Sequence, residues 1–213
     1  MKKQTKIENL LKKLLQLHDR KIDLSLDRSH RLNRDLKINL DRLRPKTLTF
    51  SGTNGKFTTA TTMRSIFEAA NYSCDFYSSP HVESWTERFV FESNEITEEG
   101  LFDLLSEVSL LNKARPATLF EILTSAFYFY SASKSKCDVV LAENGLFQKY
   151  DAVSSIGNHL LNATCAISLD HLDWLPEGKK TIDQIIIEKT SNIKSSYIVV
   201  SKQNDNQISE KIK

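Results

Sequence analysis

Short hydrophobic runs rich in β-forming residues recur along the chain after residue 45. They are TLTF (47–50), CDFYS (74–78), DVVLAE (138–143), TCAISL (164–169) and YIVVS (197–201). Stretches with the apolar spacing of helices lie between most of these runs, and this alternation is typical of a mostly parallel sheet covered by helices. The pattern therefore predicts an α/β fold with helices on both faces of the sheet.

Helical spacing of apolar residues predicts six helices in all. They are 7–17, a looser helix around 26–36, one beginning near Thr58, one beginning near Thr97, one over 118–132 and one from about Thr181 to Lys194. The two earliest helices precede every predicted strand, so we expect a helical segment over residues 1–45 and an α/β domain over residues 46–213.

Composition adds little to this picture. The 213 residues are 40% hydrophobic and carry a formal net charge of +2, and no apolar run approaches the ~20 residues of a membrane helix. We therefore expect a cytoplasmic protein without nucleic acid or membrane partners. Cys74, Cys137 and Cys165 lie far apart in apolar runs and are expected to be buried thiols.

The stretch FSGTNGKFTTATT (50–62) contains two of the six glycines of the chain, Gly52 and Gly55, just before Lys56. A strand, a glycine loop with a lysine and a helix N-terminus together form an anion site, because backbone N–H groups and the lysine face the phosphate oxygens. Thr58 or Thr59 could offer a hydroxyl to Mg²⁺. The alternative is a turn that contains glycine and an incidental lysine.

Other polar residues follow the predicted strands, where ligands bind in open α/β sheets. Ser79 follows the second run, Glu143 ends the third and His171 follows the fourth. Hydroxyl and carboxylate oxygens suit Mg²⁺, and an imidazole can join a second cation site. Taken singly, Ser79 could cap a turn, Glu143 could bind a surface lysine and His171 could be a core histidine. Their shared position favours a functional site.

Lys189 lies on the apolar stripe of the last predicted helix, with Ile182, Ile186 and Ile193. A lysine in this position must snorkel, find a partner or lose its proton. A neutral, buried amine can also be carbamylated by carbon dioxide, which would make it a carboxylate able to hold a metal.

Taken together, the motifs resemble one family, the folylpolyglutamate and dihydrofolate synthases of the muramyl ligase superfamily. The segments that carry the resemblance are LSLDRSHRL, SGTNGK, YSSPH, TERF, TLFEILT, ENGL with YDA, SLDHLDWL and EKTSNIK. The resemblance implies an ATP-dependent ligase that joins L-glutamate to a pteroate or folate carboxylate through an acyl phosphate. It also implies a P-loop-containing domain of the muramyl ligase central type.

The resemblance assigns roles to particular residues. The loop residues Gly52, Thr53, Asn54, Gly55, Lys56, Phe57 and Thr58 would hold the ATP phosphates. Ser79, Glu143 and Thr58 would bind one Mg²⁺, and His171 with carbamylated Lys189 would bind a second. The implied catalytic residues are Lys56, His171 and Lys189, and the implied pterin-binding residues are Phe120, Glu121 and Asp151. Aromatic stacking and carboxylate pairing suit a pterin ring.

The chain also departs from the family pattern. Phe57 follows the loop lysine in place of Gly, so we expect its side chain to point away from ATP, into the helix–sheet interface or the pterin side. The family's Gly-Gly-Arg is Phe147-Gln148-Lys149 here, and Ser154 replaces an Asn. Family members are longer, so residues 46–213 are expected to be an incomplete ATP-binding domain without the C-terminal glutamate-ligase domain, which another chain could supply.

Two alternatives stay open beside the folate ligase. One is another muramyl-type amide ligase, against which the YSSPH, TLFE and LDR segments argue. The other is a non-catalytic remnant that binds nucleotide without turnover.

Overall fold

The computed structural model describes residues 6–19 and 23–212, so residues 1–5, 20–22 and 213 of the two predicted regions lie outside the described part. Within it the strands are β1 (Thr47–Ser51), β2 (Cys74–Tyr77), β3 (Phe89–Phe91), β4 (Asn94–Glu95), β5 (Val139–Glu143), β6 (His159–Thr164) and β7 (Ser195–Val200). They form one sheet in the order β4-β3-β2-β5-β1-β6-β7. Four strand pairs are parallel, namely β2–β5, β5–β1, β1–β6 and β6–β7. The pairs β2–β3 and β3–β4 are antiparallel. The predicted mostly parallel α/β fold is confirmed.

The described helices are α1 (Lys6–Leu15), α2 (Asp27–Asp35), α3 (Leu40–Leu43), α4 (Lys56–Ala69), α5 (Glu98–Asn112), α6 (Leu119–Ser133), α7 (Ile182–Thr190) and α8 (Asn206–Ile212). Thr97 and Thr118 cap α5 and α6 at their N-termini, since each hydroxyl accepts a hydrogen bond from a backbone N–H of the first turn. The helices predicted over these two segments are therefore confirmed.

Helices cover both faces of the sheet because alternate strand residues point to opposite sides. On one face Leu48 and Phe50 of β1 pack with Phe76, Leu141 and the α4 residue Ala60. On the other face, Tyr77, Val140 and Ala142 belong to a larger hydrophobic cluster with α5 and α6. The sheet thus holds its carboxyl-terminal edge, where the candidate site lies, between two packed layers.

The helices before residue 45 join the larger cluster. Ile7, Leu11 and Leu14 of α1 recur at the spacing of one helix face and are all buried in that cluster. Leu32 of α2 and Leu43 of α3 are fully buried there as well. This segment therefore packs on α5 and α6, and the division at residue 45 stays a prediction.

The strand predicted at 164–169 is wrong, because β6 ends where that run begins. The chain after Thr164 leaves the sheet and pairs with the glycine loop instead: the Ala166 carbonyl accepts hydrogen bonds from the N–H groups of Thr53 (2.8 Å) and Asn54 (3.1 Å). Asp170 and His171 consequently lie further from the strand end than the sequence suggested.

Buried polar residues explain why the sequence pattern missed β6. Asn162 Nδ2 donates to Thr49 Oγ1 at 2.8 Å, and the Thr49 hydroxyl lies 2.8 Å from His159 Nε2. The Ser51 hydroxyl donates to Asn162 Oδ1 at 3.2 Å. Because these side chains satisfy one another between two central strands, β6 carries none of the apolar alternation by which strands are recognised.

Other elements differ from the prediction in smaller ways. The last long helix was predicted to reach Lys194, but α7 ends at Thr190 with Ser191 as its C-cap. The helix predicted near Thr58 begins at Lys56. The sequence also missed α3, α8 and the short strands β3 and β4, which are too brief or too polar to show a period.

The prediction for Cys74, Cys137 and Cys165 is confirmed, since all are free and buried. Among the described helices, none is long and apolar enough to cross a membrane.

Candidate active site at the carboxyl edge of the sheet

The glycine loop turns sharply between β1 and α4. Gly52 and Gly55 have φ angles of 122° and 88°, which side-chain-bearing residues rarely adopt. The Thr53 hydroxyl donates to the Ser168 carbonyl and accepts from the Ser168 N–H, both at 3.1 Å. Together with the Ala166 contacts, these bonds fix the loop so that the N-terminus of α4 opens toward solvent, the arrangement that binds phosphate.

The two glycines offer a matched pair of substitutions. A Cβ at Gly52 would lie 2.9 Å from the Cβ and the carbonyl oxygen of Cys165, whereas a Cβ at Gly55 would meet nothing within 4 Å. We therefore expect Gly52→Ala to cost about 2–3 kcal/mol of unfolding free energy through strain and overlap. Gly55→Ala should cost roughly 1 kcal/mol through backbone strain alone. Urea unfolding of both variants measures the difference, and equal losses would contradict the close approach.

Lys56 is the first residue of α4 and is half-buried at the loop. Its Nζ donates to the Thr53 carbonyl at 3.3 Å, and it forms no ion pair with a carboxylate of the described residues. An ammonium without a partner carboxylate at a helix N-terminus favours a bound anion.

A cavity of about 630 Å³ opens beside this lysine. Its lining brings together residues from several strand ends: Thr53, Lys56, Phe57, Thr61, Arg64, Phe76, Ser78, Ser79, Pro80, Val82, Glu87, Val90, Glu95, Glu143, Gly145, Asp170 and His171. The sequence prediction that Lys56, Ser79, Glu143 and His171 converge therefore agrees with the structure. Thr58 is exposed in the first turn of α4 and is not part of this lining, so its metal-binding role stays a prediction.

Phe57 lies on the wall of this cavity. It is 53% exposed, and its ring centroid is 6.2 Å from that of Phe76 in β2. The side chain therefore does not fill the buried helix–sheet interface, which was one of the two directions expected from the sequence.

Glu143 and Ser79 meet at the ends of β5 and β2. The Ser79 N–H donates to Glu143 Oε2 at 3.2 Å, and Glu143 is only 4% exposed. Burial raises the pKa of Glu143, while the Ser79 hydrogen bond and the nearby Lys56 oppose the rise. A buried carboxylate beside a hydroxyl residue and an ammonium is suited to share a cation with phosphate oxygens.

His171 lines the same cavity and has a left-handed backbone conformation, with φ 52°. Its Nε2 lies 3.1 Å from Asp170 Oδ2, and its ring meets the Phe147 ring edge-on at 5.9 Å. Burial lowers the pKa of His171; Asp170 opposes this change, and Lys189 and Lys56 add to it. Asp170 is therefore a site residue to which the sequence analysis assigned no role, although it stands in the SLDHLDWL segment.

Lys189 of α7 is fully buried and does not snorkel. Its Nζ donates to the carbonyls of Gly52 (3.1 Å) and Leu146 (2.8 Å), and it lies 5.4 Å from the centroid of the Phe147 ring. Burial and Lys56 lower the pKa of Lys189 to about 8, against the effect of Asp170 and Asp151. The sequence left snorkelling, a partner or loss of the proton open for this lysine. The structure shows partners, which are two backbone carbonyls.

A second cavity, of about 270 Å³, adjoins the first. Its lining contains all three predicted pterin-binding residues, Phe120, Glu121 and Asp151. The other lining residues are Asp23, Leu24, Ser79, Pro80, Arg88, Thr118, Gly145, Leu146, Tyr150 and Ala152. Arg88 stood in the TERF motif and Tyr150 in the YDA motif, so both could have been found from their motifs. The Phe120 ring lies over Gly145, where a Cβ would approach it to 2.9 Å.

The carboxylates of this second cavity are already engaged. Glu121 accepts from Arg28 Nε at 3.0 and 3.1 Å and from the Thr118 N–H at 2.7 Å, which completes a capping box of α6. Asp151 accepts from the N–H groups of Gly145 (2.8 Å), Leu146 (3.2 Å) and Val153 (3.0 Å). Burial raises the pKa of Asp151 to about 6, although these backbone groups oppose the rise. Both residues therefore shape the cavity walls, and direct pairing with a ligand stays a prediction.

The described residues contain no group of three or more His, Cys, Asp and Glu side chains that could hold a metal by themselves. Proteins usually bind Mg²⁺ through one or two carboxylates together with waters and substrate phosphates. Glu143, with Ser79 beside it, fits one such cation.

Comparison with known proteins gives a consistent picture. No family model matches the chain. The dihydrofolate synthase/folylpolyglutamate synthase of Escherichia coli is 34% identical over 167 residues, which is 78% of this chain and 38% of that protein. The protein of the same name from Bacillus subtilis is 30% identical over 157 residues, 71% of this chain and 36% of that protein.

Solved structures show the same relationship. The Escherichia coli enzyme FolC, in complex with DHPP and ADP, has a TM-score of 0.83 and 31% identity, covering 97% of this chain and 49% of that one. The bifunctional enzyme from Yersinia pestis, complexed with AMPPNP and a Mn ion, has a TM-score of 0.77 and 30% identity, covering 95% and 49%. The chain thus spans about half or less of the length of these relatives. The resemblance inferred from the motifs is confirmed.

Proposed function

We propose, from the homology of this chain to the N-terminal part of dihydrofolate synthase/folylpolyglutamate synthases, that it supplies the ATP-phosphate site and the acceptor pocket of an ATP-dependent glutamate ligase. The ligase would join L-glutamate to the carboxylate of a pteroate or folate through an acyl phosphate. ATP and Mg²⁺ are the implied cofactors, since related structures contain ADP, or AMPPNP with a Mn ion. The cytoplasmic location stays a prediction.

One observation carries this proposal: the two cavities share a wall. Ser79, Pro80 and Gly145 line both the cavity at the phosphate loop and the cavity under Phe120. An acceptor bound in the smaller cavity would therefore end where the terminal phosphate of ATP begins. This is the geometry that phosphoryl transfer to a carboxylate needs, because positioning supplies much of its catalysis.

The residues have separate tasks in this reaction. The Thr53 and Asn54 N–H groups are bonded to Ala166, so the N–H groups at the start of α4, from Gly55 to Thr58, would bind the phosphates. Lys56 would neutralise charge on the β- and γ-phosphates. A carboxylate oxygen of the acceptor attacks the γ-phosphorus as the bond to the ADP oxygen breaks. The amine of glutamate then adds to the acyl carbon, and the tetrahedral intermediate expels inorganic phosphate as the amide forms.

A divalent cation held by Glu143 and Ser79 would supply charge neutralisation at the transferring phosphoryl group. The resemblance also implies a second cation, between His171 and a carbamylated Lys189. The described contacts do not fit that second site, because the Lys189 amine donates to two backbone carbonyls and the Phe147 ring lies against both side chains. No step is therefore assigned to it.

Phe120 and Tyr150 provide aromatic surface for a pterin ring in the smaller cavity, and Arg88 brings a cation to the same cavity. The remaining contacts to ATP and glutamate would come from the portion of the relatives that this chain does not match, the C-terminal glutamate-ligase domain. Its supply in trans is part of the proposal.

The test is phosphate release with Mg-ATP, L-glutamate and either dihydropteroate or a reduced folate, with and without the C-terminal half of the Escherichia coli relative. We expect phosphate release that requires both the acceptor and glutamate. The matched control is Glu143→Gln, which keeps the shape of the side chain, removes its charge and should lower the rate about 100-fold or more.

The same phosphate-release assay distinguishes the ligase from the alternative function, nucleotide binding without turnover. Phe147 at a position where the family has Gly favours a chain that binds nucleotide without turnover, because it fills the space beside His171. ATP binding without phosphate release for either acceptor, with the added half present, would support this alternative and contradict the ligase.

A further inference from the structure

Several groups around the Lys189 amine favour its positive charge, against burial and the nearby Lys56, which lower its pKa. The Gly52 and Leu146 carbonyls both direct their negative ends at Nζ, and the Phe147 ring presents its face at 5.4 Å. An aromatic face carries negative charge density and attracts an ammonium. Asp151 and Asp170 are near enough to stabilise the same positive charge.

A carbamate would meet the opposite conditions in this place. Carbamylation converts the donor nitrogen into a group that carries an anionic carboxylate, and that carboxylate would face two carbonyl oxygens and the ring. The Gly52 and Leu146 carbonyls would also lose charged donors at buried positions, which is unfavourable.

Phe147 is the chain's own contribution to this arrangement. The sequence places Phe where the resemblance leads one to expect Gly, and its side chain is fully buried in a cluster with Ile185 and Ile186 of α7. The ring lies beside both Lys189 and His171, so it occupies space that a shared cation would need. The presence of Phe147 and the unmodified state of the Lys189 amine are therefore structurally linked.

The two carbonyls that Lys189 joins belong to different functional loops. Gly52 begins the phosphate loop, and Leu146 belongs to the loop after β5 that lines the smaller cavity. The Lys189 ammonium therefore joins a loop of the nucleotide cavity to a loop of the acceptor cavity. We propose that Lys189 acts as an unmodified ammonium that clamps the phosphate loop to the loop after β5, in place of a carbamylated cation ligand.

The experiment uses two readouts that do not involve nucleotide. Carbamate is sought by ¹³C NMR of the wild-type chain in ¹³C-labelled bicarbonate, and loop order is measured by hydrogen exchange at the Thr53 and Asn54 amides, which both bond to Ala166. The variants are Lys189→Met, Lys189→Arg and, as a matched control, Lys180→Met, whose lysine is exposed and pairs with Glu177.

We expect no carbamate resonance in the wild-type chain. Exchange at the two amides should accelerate about tenfold or more in Lys189→Met, because the loop loses a charged hydrogen bond, and less in Lys189→Arg, which keeps a cation and donors. Lys180→Met should exchange like the wild type.

Two results would overturn the proposal. One is a carbamate resonance in the wild type that disappears in Lys189→Arg. The other is unchanged loop exchange in Lys189→Met. If Lys189→Met does not fold, a further variant, Phe147→Leu, which removes the aromatic face, takes its place. Unchanged loop exchange in Phe147→Leu together with a carbamate resonance would then contradict the proposal. The proposal rests on the proposed function only in taking residues 52–58 as the phosphate loop. Failure to bind ATP would therefore leave both readouts interpretable.

Discussion

Replacing Lys56 with methionine is expected to weaken ATP binding by this chain about 30- to 100-fold. The ammonium has no carboxylate partner among the described residues and lies at the N-terminus of α4, so the nucleotide phosphates would be its principal partner. A charge-assisted hydrogen bond of about 2–3 kcal/mol corresponds to this loss in affinity. Methionine keeps the length and the apolar stem, so packing should change little. Isothermal titration with Mg-ATP measures the change.

The matched control for this substitution is Lys12→Met, which removes an exposed lysine from α1. Its affinity for ATP should equal that of the wild type. Raising the ionic strength should weaken binding in the wild type more than in Lys56→Met, because salt screens the lysine–phosphate attraction. Equal affinity in Lys56→Met and Lys12→Met would contradict the assignment of the loop.

Replacing Asp151 with alanine is expected to destabilise the fold by about 3–5 kcal/mol. The Asp151 carboxylate accepts hydrogen bonds from Gly145, Leu146 and Val153, and only 5% of the residue is exposed. Alanine leaves these backbone donors without an acceptor in a place that water reaches poorly, and several unsatisfied groups add to a large cost. Urea unfolding monitored by circular dichroism gives the free-energy difference.

Asp173→Ala serves as the comparison, because this aspartate is exposed and its change should lie within about 0.5 kcal/mol of the wild type. The two variants differ in their expected effect on the smaller cavity as well. If Asp151 contacted a ligand and did not support the loop, Asp151→Ala would unfold at the wild-type urea concentration and lose only acceptor binding. That result would contradict the structural role.

Parts of this fold follow from local sequence rules. The glycine loop and α4 were predictable because two glycines with positive φ and a lysine at a helix start leave few other conformations. The helices α5 and α6 were predictable because each begins with a threonine cap and continues as a long apolar pattern. In these places local and tertiary preferences agree.

Other parts depend on partners distant in the chain. The strand β6 escaped prediction because His159 and Asn162 are buried against Thr49 of β1, and single-sequence periodicity treats such residues as exposed. The run at 164–169 was predicted as a strand because its residues are hydrophobic and β-forming, but the Ala166 carbonyl accepts its hydrogen bonds from the phosphate loop. Only the assembled sheet reveals which partner an extended segment takes.

The candidate site divides in the same way. Convergence of Lys56, Ser79 and Glu143 could be predicted, because they follow or end parallel strands whose carboxyl ends share one edge. His171 lines the same cavity although the run before it is not a strand. The contacts of Glu121 with Arg28 and of Lys189 with Gly52 could not be predicted, since they join residues far apart in sequence. The resemblance suggested which residues matter, and the structure supplied what each one touches.

The central claim is that a nucleotide cavity and an acceptor cavity share one wall, and amide chemical-shift mapping tests it most directly. Titration of the ¹⁵N-labelled chain with Mg-AMPPNP should shift the amides of residues 52–58, and titration with dihydropteroate should shift those around Phe120 and Tyr150. With both ligands present, the largest further changes should fall on Ser79 and Gly145, which line both cavities. Shifts by the two ligands at separate places, with no response at Ser79 or Gly145, would contradict the account.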